Sequence, residues 1–173
     1  MIQFDIRPAR MEDCAEISRL IHMLAAYEKL ADQCGCTPEK MREALFATNS
    51  GPKCVLLWAR DSEVEQLQER PVGFALYFFN FSTFRARQGL YLEDLFVEPE
   101  YRGQGAGGML MRHLALEAAK KGCARFEWVV LDWNQPAIDF YERLGAKILS
   151  DWRICRLEGE ALEKLVAEAE RRR

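Results

Sequence analysis

Apolar and polar residues alternate from Ile2 to Arg7 and stop at Pro8, a period of two that predicts a short strand with one face on a core. Beyond Asp13, placed to cap a helix, Ile17, Leu20, Ile21, Leu24 and Ala25 recur at helical spacing, so Cys14 to Leu30 reads as a helix with one buried stripe. Thr37 as N-cap and Pro38 in the first turn predict a second helix from Pro38 to Phe46. Two apolar runs follow, Cys54 to Ala59 and Val72 to Phe79. The charged stretch from Arg60 to Arg70 between them suits a hairpin loop, so the pair is expected to be antiparallel.

Leu90 to Val97 predicts a further strand, and the glycine-rich turn from Gly103 leads into a helix running to Gly122 with Met109, Leu110, Leu114 and Ala118 on one side. The remaining expectations are a strand from Phe126 to Leu131, a short helix from Pro136 to Leu144 stopped by Gly145, a strand from Ile148 to Leu157, and a terminal helix from Glu160 to Arg173. The order β-α-α-β-β-β-α-β-α-β is an α/β arrangement with a mixed sheet. At 173 residues the chain is expected to be one domain, residues 1–173.

Charge narrows the function. Twenty-seven acidic and 24 basic residues leave a formal net charge of −3, which gives no general attraction for nucleic acid. Arg171 to Arg173 close a helix, where cations complement the dipole and face solvent. The six cysteines lack paired CxxC spacing and only two histidines accompany them, so no metal centre is expected. Asp5, Arg7, Arg10, Glu12 and Asp13 interrupt the start of the chain, leaving no signal peptide or membrane span in view. A reducing cytoplasm and free thiols are the expectation, with Cys34 and Cys36 open to a redox reading as well.

The segment Glu100-Tyr-Arg-Gly-Gln-Gly-Ala-Gly-Gly-Met109 lies between a predicted strand and a predicted helix. Backbone N–H groups at such a turn, with the positive end of the helix dipole behind them, suit a diphosphate, although glycine loops also serve simple turns. The pattern Arg-x-x-Gly-x-Gly of Arg102, Gly105 and Gly107 lacks the Lys-Ser/Thr ending of a Walker loop. From Gly103 the spacing is GxGxG, where a Rossmann fingerprint has GxGxxG.

Leu95-Phe-Val-Glu-Pro-Glu-Tyr-Arg-Gly-Gln-Gly-Ala-Gly108 resembles the acetyl-coenzyme-A motif of the GNAT superfamily of N-acetyltransferases, and Asp132-Trp-Asn-Gln-Pro-Ala-Ile-Asp-Phe-Tyr-Glu-Arg-Leu-Gly-Ala146 resembles its second cofactor segment. With Ile6-Arg-Pro-Ala9, Tyr27-Glu-Lys-Leu30 and Tyr91-Leu-Glu-Asp94, the likeness spans nearly the whole chain and extends to the diamine acetyltransferase family, nearest in appearance to its thialysine-acetylating branch. The resemblance implies a mostly antiparallel, twisted mixed sheet flanked by helices. It implies acetyl-coenzyme A as co-substrate, held by Leu95, Phe96, Val97, Arg102, Gly103, Gln104, Gly105, Ala106, Gly107, Gly108, Asn134, Gln135, Pro136 and Ala137. No metal is called for.

Amine acetylation needs a neutral nitrogen, while a primary ammonium titrates near pH ~10, so a base must take a proton. Glu93 is the candidate: it and Asp94 interrupt an apolar strand, where adjacent carboxylates need a cavity or partners unless they simply face solvent at an edge. Backbone N–H groups around Leu95 to Val97 are expected to meet the developing oxyanion if the strand bulges open. Tyr141 fits protonation of the departing thiolate, although a Phe-Tyr pair in a helix also suits a core.

For the amine, the resemblance implies contacts from Tyr27, Glu28, Glu93, Glu127, Trp128 and Val129. Polyamine-specific members carry an acid and a tryptophan where this chain has Ser82 and Phe84, and the segment around Ser150 and Asp151 is shorter, which favours an amino-acid-like amine over a long polycation. The expected reaction is direct transfer in a ternary complex to a thialysine-like amino acid, or to a diamine or polyamine such as spermidine. Acetylation of protein lysines or N-termini and a non-catalytic acetyl-coenzyme-A sensor are the alternatives. The family's habit and the apolar segment Ile148 to Leu157 imply a homodimer, with a small-molecule amine as partner and neither nucleic acid nor membrane.

Overall fold

A computed structural model describes residues 2–61 and 69–172. The chain divides into two compact units, Met1–Val129 and Val130–Arg173. The first holds β1 (Ile2–Pro8), α1 (Cys14–Tyr27), α2 (Pro38–Phe46), β2 (Lys53–Asp61), β3 (Arg70–Ser82), β4 (Arg87–Val97), α3 (Ala106–Lys120) and β5 (Phe126–Glu127). The second holds α4 (Gln135–Arg143) and α5 (Glu160–Glu170). Residues 62–68 of the predicted hairpin loop lie outside the described residues.

The sheet runs β1-β2-β3-β4-β5, with the first three pairings antiparallel and β4 parallel to β5. Strand alternation gives it two apolar faces. Cys54, Leu56, Phe74 and Phe96 join Cys14, Ile17, Leu20 and Leu24 of α1 and Met41 of α2 in one buried cluster. Val55, Leu57 and Ala75, one position out of step, are equally buried, as are Leu110 and Leu114 of α3. The family-type α/β fold, a mostly antiparallel twisted sheet flanked by helices, is therefore the observed one.

Local chemistry sets several boundaries differently from the sequence pattern. Helix α1 ends at Tyr27 because Lys29 takes a left-handed conformation, φ 62°, where the Glu28, Lys29 and Leu30 N–H groups turn back on Leu24, Ala26 and Ala25 carbonyls. Asp13 occupies the N-cap position, but its carboxylate accepts from the Arg10 N–H and closes a 3-10 turn. Thr37 does cap α2, accepting from the Lys40 N–H at 3.3 Å. The strand expected over Phe126 to Leu131 is two residues long.

The strand expected over Ile148 to Leu157 does not form. A strand needs a backbone partner, and no strand occurs among the described residues of the second unit. Ile148, Leu149, Trp152, Ile154 and Leu157 are all exposed.

Candidate active site

Strand β4 carries the site because its pairing changes along its length. Against β3, Leu76 faces Asp94 and Tyr77 faces Leu92, so Glu93 is the extra residue of a bulge. Against β5, only Leu90 and Tyr91 are paired, with Phe126 and Glu127. From Leu92 onward, that edge of β4 has no strand partner among the described residues. The bulge that the expected donors at Leu95 to Val97 require lies two residues before them, at the carboxylate itself.

The Glu98 N–H donates to the Val72 carbonyl at 2.9 Å, on the β3 side. A trans peptide then turns the Val97 carbonyl toward the open edge, and strand alternation puts the N–H groups of Leu95 and Val97 on the same edge. These are the donors expected near a reacting carbonyl. Leu95 is half-buried, and Phe96 and Val97 are buried.

Three carboxylates converge on the bulge. Burial pushes the Asp94 carboxyl up to about 6, and the negative charges of Glu93 and Glu28 add to the shift. Glu28, at the end of α1, is itself raised by burial. Glu93 is exposed. Glu28 of the predicted amine-binding set thus acts on the β4 acids from a separate element, while the Tyr27 ring faces the Arg102 guanidinium. Sequence reasoning singled out Glu93; it is the neighbour Asp94 whose carboxyl burial raises, and the apolar run around the pair was the signal.

The other predicted amine contacts fall on and after β5. Glu127 is half-buried and already paired, its Oε2 2.7 Å from Arg125 Nε, with the Asn80 amide at 3.4 Å. Trp128 packs edge-on to Phe126 with ring centroids 4.9 Å apart, and Val129 is exposed.

The glycine-rich turn has the geometry a phosphate needs. Gly103 and Gly105 adopt φ of 74° and 83°, which side-chain-bearing residues rarely take, and open space surrounds the place a Cβ would occupy on each. Gly105 caps α3 with no side-chain hydrogen bond, and the first turn of that helix holds no acid. Every other helix has one or the other: Glu16 in α1, Thr37 before α2, Asn134 before α4, Glu160 and Glu163 in α5. The leading N–H groups of α3, around Ala106, Gly107 and Gly108, are left for an external anion. Gln104 sits in the turn with its amide on the Glu100 carbonyl at 3.0 Å.

Arg102, which the resemblance implies is a cofactor contact, folds its side chain back from that turn. Nε donates to the Val97 carbonyl at 2.7 Å, and the guanidinium lies 4.7 Å from the Tyr27 ring centroid and 5.3 Å from that of Phe96.

Just upstream, Glu98 is buried at 1% exposure between two arginines: Arg19 of α1 at 2.7 Å, and Arg70 of β3 bidentate at 2.7 and 2.6 Å. Burial alone would raise this carboxyl, but the Arg70 and Arg19 hydrogen bonds outweigh it and hold it below the ordinary range. The clamp fixes the end of β4 to α1. No sequence signal at Glu98 distinguished it from a surface acid.

In the second unit, the Asn134 side chain accepts from the Ala137 N–H at 3.4 Å and caps α4, whose first turn contains Pro136. Gln135 donates to Asp139 at 2.6 Å. Tyr141 is buried, its ring 5.2 Å from that of Phe140. Among the described residues, no group of three or more His, Cys, Asp or Glu side chains is placed to hold a metal ion, and no helix is long and apolar enough to cross a membrane.

A bulged strand splaying from its parallel neighbour, followed by a glycine turn into an uncapped helix, defines an acyl-coenzyme-A-dependent N-acyltransferase site. The chain belongs to the GNAT acetyltransferase family, whose model matches residues 19–146. It is 41% identical over 166 residues to a thialysine N-epsilon-acetyltransferase of Sus scrofa, covering 94% of this chain and 97% of that one. An L-ornithine N5-acetyltransferase of Arabidopsis thaliana is 47% identical over 93 residues, covering 54% of this chain and 41% of the relative. A solved integron cassette protein from the mobile metagenome of V. cholerae superposes with a TM-score of 0.76 at 27% identity, covering 94% of this chain and 97% of that one. The activity this establishes is acetyl-coenzyme-A-dependent acetylation of an amine.

Proposed function

We propose that the amine is the primary amino group of a small, thialysine-like amino acid, with diamines and polyamines such as spermidine as second-rank substrates. The observation that carries this reading is the convergence of Glu28, Glu93 and Asp94 at the β4 bulge, a cluster of negative charge for a cationic amine beside the strand that leads into the glycine turn and α3. A thialysine-acetylating relative aligned over nearly the full chain supports the same class. Ser82 is buried, so its hydroxyl supplies no anionic contact for a long polycation, and Phe84 is almost wholly exposed.

Glu93, displaced outward by the bulge, accepts the ammonium proton. Asp94 and Glu28 provide the field that draws the cation in. The Leu95 and Val97 N–H groups donate to the acetyl oxygen as charge grows on it. Tyr141 protonates the departing thiolate, and Asn134 to Ala137 hold the pantetheine arm. Acetyl-coenzyme A supplies the thioester. Residues 1–173 work as one N-acetyltransferase domain, which the family match across residues 129 and 130 supports. The enzyme is a cytoplasmic homodimer acting on a small molecule, without nucleic acid or membrane.

An amine panel assayed by free-thiol release tests the reading. Thialysine is expected to turn over with the highest kcat/KM, and no turnover on any small amine would sink it. Tyr141→Phe and Glu93→Gln are each expected to lower kcat by about 10²-fold or more, the usual scale of general acid–base catalysis.

A further inference from the structure

We propose that Arg102 is a positioning residue that latches the cofactor turn to the amine-side end of α1, so that filling the phosphate site orders Tyr27 and Glu28 and the two substrates bind cooperatively. The inference rests on the acetyltransferase reading and deepens it. Arg102 is the last residue before the glycine turn, and its own N–H donates to the Pro99 carbonyl at 3.2 Å. Its side chain leaves that turn. Nε donates to the Val97 carbonyl on the open edge of β4, at 2.7 Å, and the guanidinium carbon lies over the Tyr27 and Phe96 rings.

The direction has a physical cause. The start of α3 is the positive end of a dipole with no acid beside it, so a guanidinium turned toward it would be repelled, whereas a strand carbonyl and two ring faces attract it. Phe96 is buried in the core, which makes one side of this seat rigid. Tyr27, the last residue of α1, is the less buried side and packs at the margin of the same core.

Helix α1 stops there, and its cap depends on Lys29 at φ 62°, a left-handed conformation that is costly for a residue with a side chain. Farther back, α1 is pinned to the same stretch of chain by Arg19 and Glu98. Its last turn, which carries Tyr27 and Glu28, has the strained cap, and Arg102 bridges it to the phosphate turn. An anion bound at Gly103 to Gly108 orders the turn and with it the Arg102 backbone. The guanidinium then meets Tyr27 with less entropy left to lose, and the end of α1 gains order in the same step.

Hydrogen–deuterium exchange with and without coenzyme A tests this in the wild type and in Arg102→Gln, Tyr27→Leu and Tyr27→Phe. In the wild type and Tyr27→Phe, which keeps the ring, coenzyme A is expected to slow exchange both at Ala106 to Met111 and at Tyr27 to Gln33, the second by about tenfold. In Arg102→Gln and Tyr27→Leu only the first segment should be protected. With thialysine as acceptor, Arg102→Gln should raise the amine KM about threefold to tenfold, more than it lowers kcat, as loss of a ring-stacked cation and one charged hydrogen bond implies. Protection of Tyr27 to Gln33 that persists in Arg102→Gln, or is absent from a wild type protected at Ala106 to Met111, overturns the latch and leaves the acetyltransferase reading standing. No protection at either segment in the wild type overturns both.

Discussion

At the scale of single residues, Asp94 offers the most direct test. Its carboxyl titrates near 6 in the folded protein against an ordinary 3.8. The native state therefore holds this proton more tightly than the unfolded chain does. The associated stability is fully present below pH ~4 and is lost as pH rises through about 6, an upper bound of about 3 kcal/mol at neutral pH. Asp94→Asn is accordingly expected to raise the melting temperature by several degrees at pH 7, with the gain shrinking to nothing near pH 4. In the proposed site the same carboxylate draws the amine only when ionised. Steady-state kinetics between pH 5 and 8 should show the amine KM climbing below about pH 6 while that for acetyl-coenzyme A stays level, and the Asn variant should lose this trend. A stabilising variant that weakens substrate binding is the signature of a residue kept for function.

Between elements, two features set the geometry of the site. The Glu98 clamp joins α1, β3 and the end of β4, and Glu98→Gln is expected to cost about 2 kcal/mol at pH 7, the scale of hydrogen bonds to a charged group. Because the folded carboxyl sits below its ordinary range, that contribution is present above pH ~4.5 and lost as pH falls through the folded pKa, so denaturant titrations of wild type and variant should converge in acid. The second feature is the left-handed turn into α3. Gly105→Ala meets no atom within 4 Å but must hold φ 83°, so its cost is conformational, about 1–2 kcal/mol. Calorimetry with coenzyme A is expected to show a further loss of affinity, because relaxing that strain re-aims the N–H groups that follow.

For the whole molecule, we propose that the exposed apolar surface of the second unit is where two copies of the chain pair. Trp152 is 77% exposed and Ile154 67%, and Leu162, Leu165 and Val166 of α5 are exposed as well. Large apolar side chains gathered in one short stretch call for a partner surface. Light scattering at micromolar concentration should give twice the 20.0 kDa chain mass, falling to the monomer value in an Ile154→Lys, Leu165→Lys double variant; a monomeric wild type would remove the dimer. The amino-acid pattern was enough for the elements whose signals are local. The stripe of α1, the Thr37-Pro38 start of α2, the apolar runs of β2, β3 and β4, and the glycine turn before α3 were legible because periodicity and turn chemistry act over a few residues. What it could not supply were pairings. The bulge fell on Glu93 because of how β4 registers with β3, β5 stopped after two residues because its neighbour diverges, and Ile148 to Leu157 formed no strand for want of a partner. Charge chemistry divides the same way: sequence named the acids and Arg102. Only the folded chain decided that Asp94 is the more enclosed of the two adjacent acids, that Glu98 is clamped by two arginines, and that Arg102 turns from the glycine turn to Tyr27, since burial and through-space fields depend on what distant segments bring alongside.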